Sequence, residues 1–284
     1  MKQRLANLSL ALILVVVSAA ITAILHRQPA RPLPSGRRAV VQGWVAPGLP
    51  LGERRRLRFL LRADCPPFSS LPPAGGDPVG LDADTARALA LHLGVECSLV
   101  AIPQRDIAER FLRGEGDVLM AALGPGSEHE HSLDFTVPHY RSRGVLVVPG
   151  HARGRFAEGL PDSVRLRLLA GTAHGNALLK NLGAGEPIAE ADDWDHLAAD
   201  LAEGRCDAVL ADVLSAHHFL GSRPDQGLAL LPMPVSNRHP SAVCFAVRKG
   251  TGELRHSLDA ALRDLQMNGS LRQIHHRYFP FDIE

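Results

Sequence analysis

One pattern occurs twice in this chain and limits what the chain can fold into. In each copy a helical run ends at a glycine, and an aspartate three residues later opens a buried apolar strand, first at Gly114 to Ala121 and again at Gly204 to Ala211. Glycine suits the end of a helix because it adopts the left-handed backbone conformation without strain. Two similar units, each built from strands and helices, are the simplest explanation of this repeat.

The spacing of apolar residues predicts the elements around the first copy. Short apolar runs bounded by turn residues predict strands at Arg58 to Arg62, Cys97 to Ile102 and Val118 to Leu123. Helical spacing predicts helices between these strands, at Leu81 to Leu93 and at Ile107 to Leu112. Strands that alternate with helices indicate an α/β unit with largely parallel pairing.

The second copy has similar surroundings. A strand is predicted at Leu168 to Thr172, and a helix at Asp193 to Leu201 precedes the strand Ala208 to Ala211. Leucines at helical spacing between Gly252 and Arg277, with a break at Gly269, predict two amphipathic helices near the end of the chain. The chain therefore contains two α/β units followed by helices that cover a core.

The beginning of the chain has the form of a targeting segment. A basic start at Met1 to Arg4 precedes an apolar run from Leu8 to Leu25, with small residues at Ser18 to Ala20. This order is typical of a secretory signal, and the run is also just long enough for a membrane anchor. We expect residues 1–25 to be a signal peptide or an inner-membrane anchor, and residues 26–56, rich in Pro, Gly and Arg, to be a linker. The remainder is expected in the periplasm or another extracytoplasmic space.

Composition and charge exclude several classes of function. The chain has 284 residues, 45% hydrophobic and 21% charged, so it can bury a core, and 31 basic and 30 acidic residues leave a net charge of +1. A chain with this balance has no strong positive electrostatic field to attract the phosphate backbone of a nucleic acid. We therefore expect no nucleic-acid partner. The sequence lacks the GxSxG, HExxH and phosphate-loop signatures, so we expect neither an enzyme nor a cofactor.

Cysteine and histidine positions do not indicate a metal site. The chain has four cysteines without CxxC spacing, at Cys65, Cys97, Cys206 and Cys244. Their wide separation disfavours structural zinc, and it leaves open whether they are buried apolar side chains or include a disulfide. The histidine-containing segments Ser127 to His131 and His217 to His218 are expected to be solvated.

Six short segments, in a particular order and at a particular spacing, resemble one family of proteins. They are Pro66 to Phe68, Val79 to Asp84, Gly116 to Met120, Leu133 to Tyr140, Gly204 to Asp212 and Ala246 to Gly250. Each segment is weak evidence alone, but together they cover the chain from about Leu57 to Phe279. On these residues the chain resembles the bacterial extracellular solute-binding proteins of family 3, which are amino-acid-type receptors of ATP-driven importers.

The resemblance implies a fold and a division of the chain. The implied fold is α/β, a two-lobed type II periplasmic-binding-protein clamshell with a discontinuous first lobe. Residues 57–147 and 241–284 would form the first lobe, and residues 148–240 the second. The resemblance further implies a monomeric receptor that binds a small polar ligand, amino-acid-like or another small amine or acid, between its lobes. It would deliver the ligand to a membrane permease for ABC-type import or report its presence.

The resemblance also places ligand-binding residues in the first lobe. These are Asp64, Cys65 and Phe68 after the first strand, the loop residues Ala122, Leu123 and Gly124, and His129. Cys65 stands where the family often has an aromatic residue that stacks on the ligand. His129 stands where the family has an arginine for the ligand carboxylate, and histidine cannot make the bidentate contact of a guanidinium group. A solvated loop residue is the alternative for His129.

In the second lobe, the resemblance assigns two further sites of contact. Thr172 and Ala173 match a helix-start loop that binds the ligand carboxylate. Asp212 matches the acidic residue that receives the ligand ammonium group, and it precedes the helical run Val213 to Leu220. Capping this helix is the alternative role for Asp212, and the two roles are compatible.

Proteins that share the implied fold suggest two other functions for this chain. Tyr140 to Ser142 and Pro103 to Arg105 are similar to segments of periplasmic accessory proteins of quinoprotein alcohol dehydrogenases, which would hold a protein partner. Amino-acid dehydratases with this fold are a third hypothesis, but the sequence offers no candidate base.

Overall fold

The computed structural model describes most of the chain beyond the predicted linker. All described residues lie in one compact unit, Val40–Glu284. They are residues 51, 54–125, 129–158, 160–161, 163–169, 189–191, 194–232 and 241–283. The predicted targeting segment, residues 1–25, and nearly all of the predicted linker lie outside them. Among the helices of the described part, none has the length and apolarity that crossing a membrane requires.

Seven strands and two helices occupy the described chain up to Pro149. The strands are β1 (Arg56–Arg62), β2 (Asp64–Cys65), β3 (Ser69–Ser70), β4 (Glu96–Ile102), β5 (Val118–Leu123), β6 (Leu133–Ser142) and β7 (Gly144–Pro149). The helices are α1 (Leu81–Leu93) and α2 (Gln104–Leu112). A 3-10 helix, Gly150–Phe156, follows β7.

The described chain after this point contains five more strands and four more helices. The strands are β8 (Leu166–Leu169), β9 (Ala189–Ala191), β10 (Ala208–Asp212), β11 (Leu228–Pro232) and β12 (Ser241–Arg248). The helices are α3 (Trp194–Ala202), α4 (Val213–Ser222), α5 (Gly252–Met267) and α6 (Ser270–Tyr278), and a short 3-10 helix, Pro224–Gln226, precedes β11. The strands and helices predicted from apolar spacing are present in the described residues, with ends that differ by a few residues, and residues 170–172 of the predicted strand and Asp193 of the predicted helix lie outside them.

The first sheet contains five strands in the order β4-β1-β5-β12-β6. β1 pairs in parallel with β4 and β5, whereas β12 is antiparallel to both β5 and β6. The predicted parallel pairing therefore holds for β1, β4 and β5, the strands that α1 and α2 connect, because parallel strands need a crossover connection, usually a helix. β6 and β12 add an antiparallel edge, and β12 returns to this sheet after the chain has built the second one.

The second sheet has the order β11-β7-β10-β8-β9. β8 pairs in parallel with β9 and β10, and β7 is antiparallel to β10 and β11. All of β7 belongs to this sheet, including Gly144 to Val147, which the sequence analysis assigned to the first lobe. The reason is that these residues form ladder hydrogen bonds with Val209 to Asp212 of β10. The chain thus passes between the sheets at Arg143.

Both faces of the first sheet are covered. On one face Phe59 and Leu61 of β1 pack with residues of α1 and α5. On the other face Leu60 packs with Ile107 and Phe111 of α2. This arrangement explains why Phe59, Leu60 and Leu61 are apolar in succession, since successive side chains of a strand point to opposite faces and both are buried here.

The sequence repeat forms the same contact in both sheets. After Gly114, the carboxylate of Asp117 accepts hydrogen bonds from the backbone nitrogen and Nε of Arg58, at 2.9 and 3.2 Å. After Gly204, the carboxylate of Asp207 accepts the equivalent bonds from Arg165, at 2.8 and 3.1 Å. Each aspartate also donates its own N–H to the carbonyl of that arginine, at 2.8 and 2.9 Å. The repeat therefore joins the start of a buried strand to its parallel neighbour.

Asp207→Asn is expected to destabilise the fold by about 1–2 kcal/mol at pH 7, because it replaces charge-assisted hydrogen bonds with neutral ones. Hydrogen bonds from Arg165 lower the pKa of Asp207 to about 2. The stabilisation is therefore complete above the ordinary aspartate pKa of about 3.9 and is lost as the pH falls toward 2. Urea unfolding between pH 2 and pH 7 should show the two proteins converging at the acidic end.

The exposed Asp225 supplies a matched control in the same part of the chain. Asp225→Asn should leave the free energy of unfolding within about 0.5 kcal/mol of the original value, as is usual at the surface. A difference between Asp207→Asn and the original protein that stays constant down to pH 2 would contradict the explanation.

Candidate functional site

Residues from both lobes meet in one buried cluster, which we call the inter-lobe cluster. It consists of Cys65, Phe68, Leu81, Tyr140, Leu214, Val243, Ile274 and Phe279. Leu214 belongs to α4 of the second lobe, and its neighbour Val213 also packs against the cluster. Ala122, at the end of β5, does the same from the first lobe. The structure thereby brings together three predicted site residues, Cys65, Phe68 and Ala122, with the segment that directly follows Asp212.

Phe68 lies inside this cluster with only 3% of its surface exposed. Its ring stacks on Tyr140 with centroids 5.4 Å apart and contacts Phe279 at 6.0 Å. Its carbonyl accepts the amide N–H of Asp82, at 2.8 Å, in the first turn of α1. The loop that carries Phe68 is therefore attached to the start of α1.

Cys65 is a buried thiol beside Phe68. Burial raises its pKa to about 11, an effect that the nearby charge of Arg62 opposes and those of Asp212 and Asp82 add to. The thiol is consequently protonated at neutral pH and behaves as a small apolar side chain. None of the four cysteines is joined in a disulfide.

The end of β5 and the glycine that follows it contain a strained residue and a close approach to β12. Ala122 has a φ of 53°, in the left-handed region that favours glycine. Such strain persists only where the surrounding structure enforces it, and it often marks a functional site. At Gly124 a Cβ atom would lie 2.4 Å from the carbonyl oxygen of Ala242, so only glycine fits. Leu123 is buried between these two residues.

Asp212 ends β10 and caps α4. Its Oδ1 accepts hydrogen bonds from the amides of Leu214 and Ser215, at 3.1 and 3.0 Å. The Ser142 hydroxyl donates to the same oxygen at 3.3 Å. The alternative role considered for Asp212, a helix N-cap, is therefore present. All three bonds involve Oδ1, so Oδ2 retains its capacity to accept a hydrogen bond from a ligand.

The remaining predicted residues have varied surroundings. Asp64 is exposed in β2, where its Oδ1 lies 3.3 Å from Nε of Arg62. His129 is half-buried in the turn before β6, and its carbonyl accepts the amide of Ser132 at 2.9 Å. Thr172 and Ala173 lie outside the described residues.

Three buried polar residues beside the cluster were assigned no role in the sequence analysis. Arg62 and His139 are 2% and 3% exposed, and Asp82 is buried as well. His139 Nε2 lies 3.4 Å from Asp82 Oδ1, and the His139 ring stacks on Phe245 at 4.0 Å. Burial raises the pKa of Asp82, although His139 and Arg62 act to lower it. Asp82 and His139 belong to segments that carried the family resemblance, whereas Arg62 resembled an ordinary strand end.

In the described part of the chain, no three His, Cys, Asp or Glu side chains come close enough together to hold a metal ion. His217 instead contacts the ring of Phe281 edge-on at 5.0 Å.

The chain is similar to several known proteins. An L-arginine-binding protein of Pseudomonas aeruginosa is 28% identical over 231 residues, which cover 80% of this chain and 89% of that protein. The solved structure of an ancestral arginine-binding protein bound to arginine superposes with a TM-score of 0.67 at 25% identity, covering 80% of this chain and 99% of that one. A membrane-bound lytic murein transglycosylase F of Desulfosudis oleivorans is 28% identical over 71% of this chain, but the match covers only 44% of that enzyme.

These comparisons confirm the predicted fold class, the two-lobed type II periplasmic-binding fold with a discontinuous first lobe. The model of one family matches residues 57–281, which include both sheets, the inter-lobe cluster and Asp212. The chain therefore belongs to the bacterial extracellular solute-binding proteins, family 3.

Proposed function

We propose that this solute-binding protein takes an amino acid as its ligand, with Asp212 receiving the ligand ammonium group. One observation carries the proposal, namely that Asp212 is only 6% exposed and accepts hydrogen bonds on Oδ1 alone from the described residues. These donors are neutral amide and hydroxyl groups, whereas a buried carboxylate is most stable with a cationic partner. An ammonium group at Oδ2 would supply that partner.

The position of Asp212 supports the same function. It lies at the carboxyl end of β10, and ligands of α/β sheets bind beyond the carboxyl ends of strands. Leu214, two residues later, packs in the inter-lobe cluster with Cys65 and Phe68 of the first lobe. A ligand held by Asp212 would therefore stand where the two lobes meet, which is the arrangement that allows hinge closure around a ligand.

Asparagine at position 212 tests the charge without removing the helix cap. Asn caps helices about as well as Asp, so Asp212→Asn should keep the melting temperature of the ligand-free protein near its original value. We expect it to weaken L-arginine binding by about 30-fold or more, because a charge-assisted hydrogen bond is lost. Isothermal titration calorimetry on the full chain with L-arginine, the ligand named for two relatives, measures this.

Two further variants separate the cap from the charge. Asp212→Ala should lose binding and also about 1 kcal/mol of stability, since the amides of Leu214 and Ser215 lose their acceptor. Asp195→Asn changes an aspartate side chain that is 78% exposed and should alter neither property. Unchanged L-arginine affinity in Asp212→Asn would contradict the proposed role.

The biological setting is part of the same proposal. We infer a monomeric, non-catalytic receptor outside the cytoplasm that passes its ligand to a membrane permease, with residues 1–25 serving for export or anchoring. The named relatives that match along nearly their whole length are binding proteins, which supports a binding role. The protonated state of the buried Cys65 thiol also disfavours a nucleophilic role for it.

A further inference from the structure

Arg62, the last residue of β1, is buried with part of its hydrogen-bonding capacity unused. Its side chain is 3% exposed, and Nε lies 3.3 Å from Oδ1 of Asp64. Nη1 is fully buried and donates to no atom of the described residues. A buried guanidinium group with an unused donor is unfavourable in a folded protein, and its presence therefore indicates a functional role.

The carboxylates near Arg62 do not accept hydrogen bonds from all of its N–H donors. Asp64 has a side chain that is 48% exposed, and its contact reaches only Nε. Asp82 is buried, and the contact that the structure gives its Oδ1 is with His139 at 3.4 Å. Because burial raises the pKa of Asp82, the neutral form of this carboxyl group is favoured as well. A guanidinium has five N–H donors, so donors of Arg62 remain for another acceptor.

Arg62 also lies at the place where a ligand is expected. It stands at the carboxyl end of β1, and its strand neighbour β5 ends at the strained Ala122 and at Leu123. Cys65, three residues later, packs in the inter-lobe cluster with Leu214, which follows Asp212. The charge of Arg62 lowers the pKa of the Cys65 thiol and that of Asp212 raises it, so a cation from one lobe and an anion from the other both act on this side chain.

We propose that Arg62 is a specificity-determining residue of this site, which binds a carboxylate group of the ligand. This inference rests on the proposed function, in which Asp212 receives the ammonium group. It assigns to Arg62 the bidentate contact that His129 cannot make. The carboxylate is either the α-carboxylate or one on the ligand side chain, and both are recognised by the same chemistry.

The test compares ligand pairs that differ in one carboxylate. L-arginine and its decarboxylated form, agmatine, report on an α-carboxylate, whereas L-glutamate and L-glutamine report on a side-chain carboxylate. The original full chain should prefer the carboxylate-bearing member of at least one pair by about 30-fold or more in calorimetry. Arg62→Met should reduce that preference to about threefold or less while leaving the affinity for the other member nearly unchanged.

Stability supplies a second readout, which a purely structural role would move in the opposite direction. Ligand-free Arg62→Met should melt at the same temperature as the original chain or higher, because the buried unused donor is gone. Arg62→Lys keeps the positive charge but loses the bidentate geometry of the guanidinium group. It should therefore retain only part of the preference for the carboxylate-bearing ligand. Arg56→Met is the matched control, since Arg56 lies on the same strand with its side chain 59% exposed.

Each outcome decides between the two proposals. If Arg62→Met folds and keeps the carboxylate preference of the original chain, the role of Arg62 is wrong while the proposed function stands. The role of Arg62 is also wrong if Arg62→Met melts at a much lower temperature than the original chain and Arg62→Lys keeps the full carboxylate preference. That pair of results would indicate a structural role. If the original chain binds none of the four compounds, the proposed function and this inference fail together.

Discussion

Alanine at position 80 is expected to destabilise the folded protein by about 3 kcal/mol or more. Gly80 precedes α1 with a φ of 127° and a ψ of 177°, a conformation that side chains other than glycine rarely adopt. A Cβ atom there would lie 2.3 Å from the carbonyl oxygen of Phe68 and 2.8 Å from that of Pro67. Both obstacles are backbone atoms that accept amides of α1, so neither can move without breaking those bonds.

Gly76 makes the test specific because it shares the backbone conformation but not the crowding. Its φ is 109°, and a Cβ atom there would have nothing within 4 Å. Gly76→Ala should therefore cost only the backbone strain, about 1–2 kcal/mol. Urea unfolding of both variants measures the difference, and equal losses would show that the contact with Phe68 and Pro67 does not matter.

Phe68→Ala is expected to lower the free energy of unfolding by about 3–5 kcal/mol. Phe68 is 3% exposed and packs against the rings of Tyr140 and Phe279, so its removal leaves a cavity in the inter-lobe cluster. The loss should appear in the ligand-free protein, because these contacts are with the protein itself. Urea unfolding without ligand is the measurement.

Phe281 provides the comparison for that experiment. It packs against the same cluster but is only partly buried. Phe281→Ala should cost about 1–2 kcal/mol, in proportion to the smaller apolar area that it removes from water. If Phe68→Ala cost no more than Phe281→Ala, the ring of Phe68 would not be a buried anchor of the cluster.

The regular elements were predictable because their signals are local. Glycine at the helix ends, with φ values of 91° at Gly114 and 66° at Gly204, and the apolar spacing of α1 and α5 are properties of neighbouring residues. The antiparallel partners of β12 were not predictable in this way. They depend on strands far apart in sequence, and no local pattern states which strand pairs with which.

Some residues of the candidate site could be predicted from the sequence and others could not. The resemblance assigned Asp212 a ligand role and left its capping role open as an alternative, and the structure shows the cap directly. Arg62 had no signal beyond its strand, because an arginine at a strand end is usually exposed. Its burial is visible only once β1 and the loop bearing Cys65 and Phe68 are folded against the rest of the first lobe.

The sequence by itself determined two α/β units, the positions of most of their strands and helices, and the family to which the chain belongs. These follow from hydrophobic period, turn residues and short motifs, which act over a few residues. Only the tertiary structure decided which strands share a sheet, that Phe68 is enclosed by Tyr140 and Phe279, and that Arg62 is buried beside the inter-lobe cluster. The physical reason is that burial and electrostatic surroundings are set by residues distant in the chain, so they exist only after the lobes have formed.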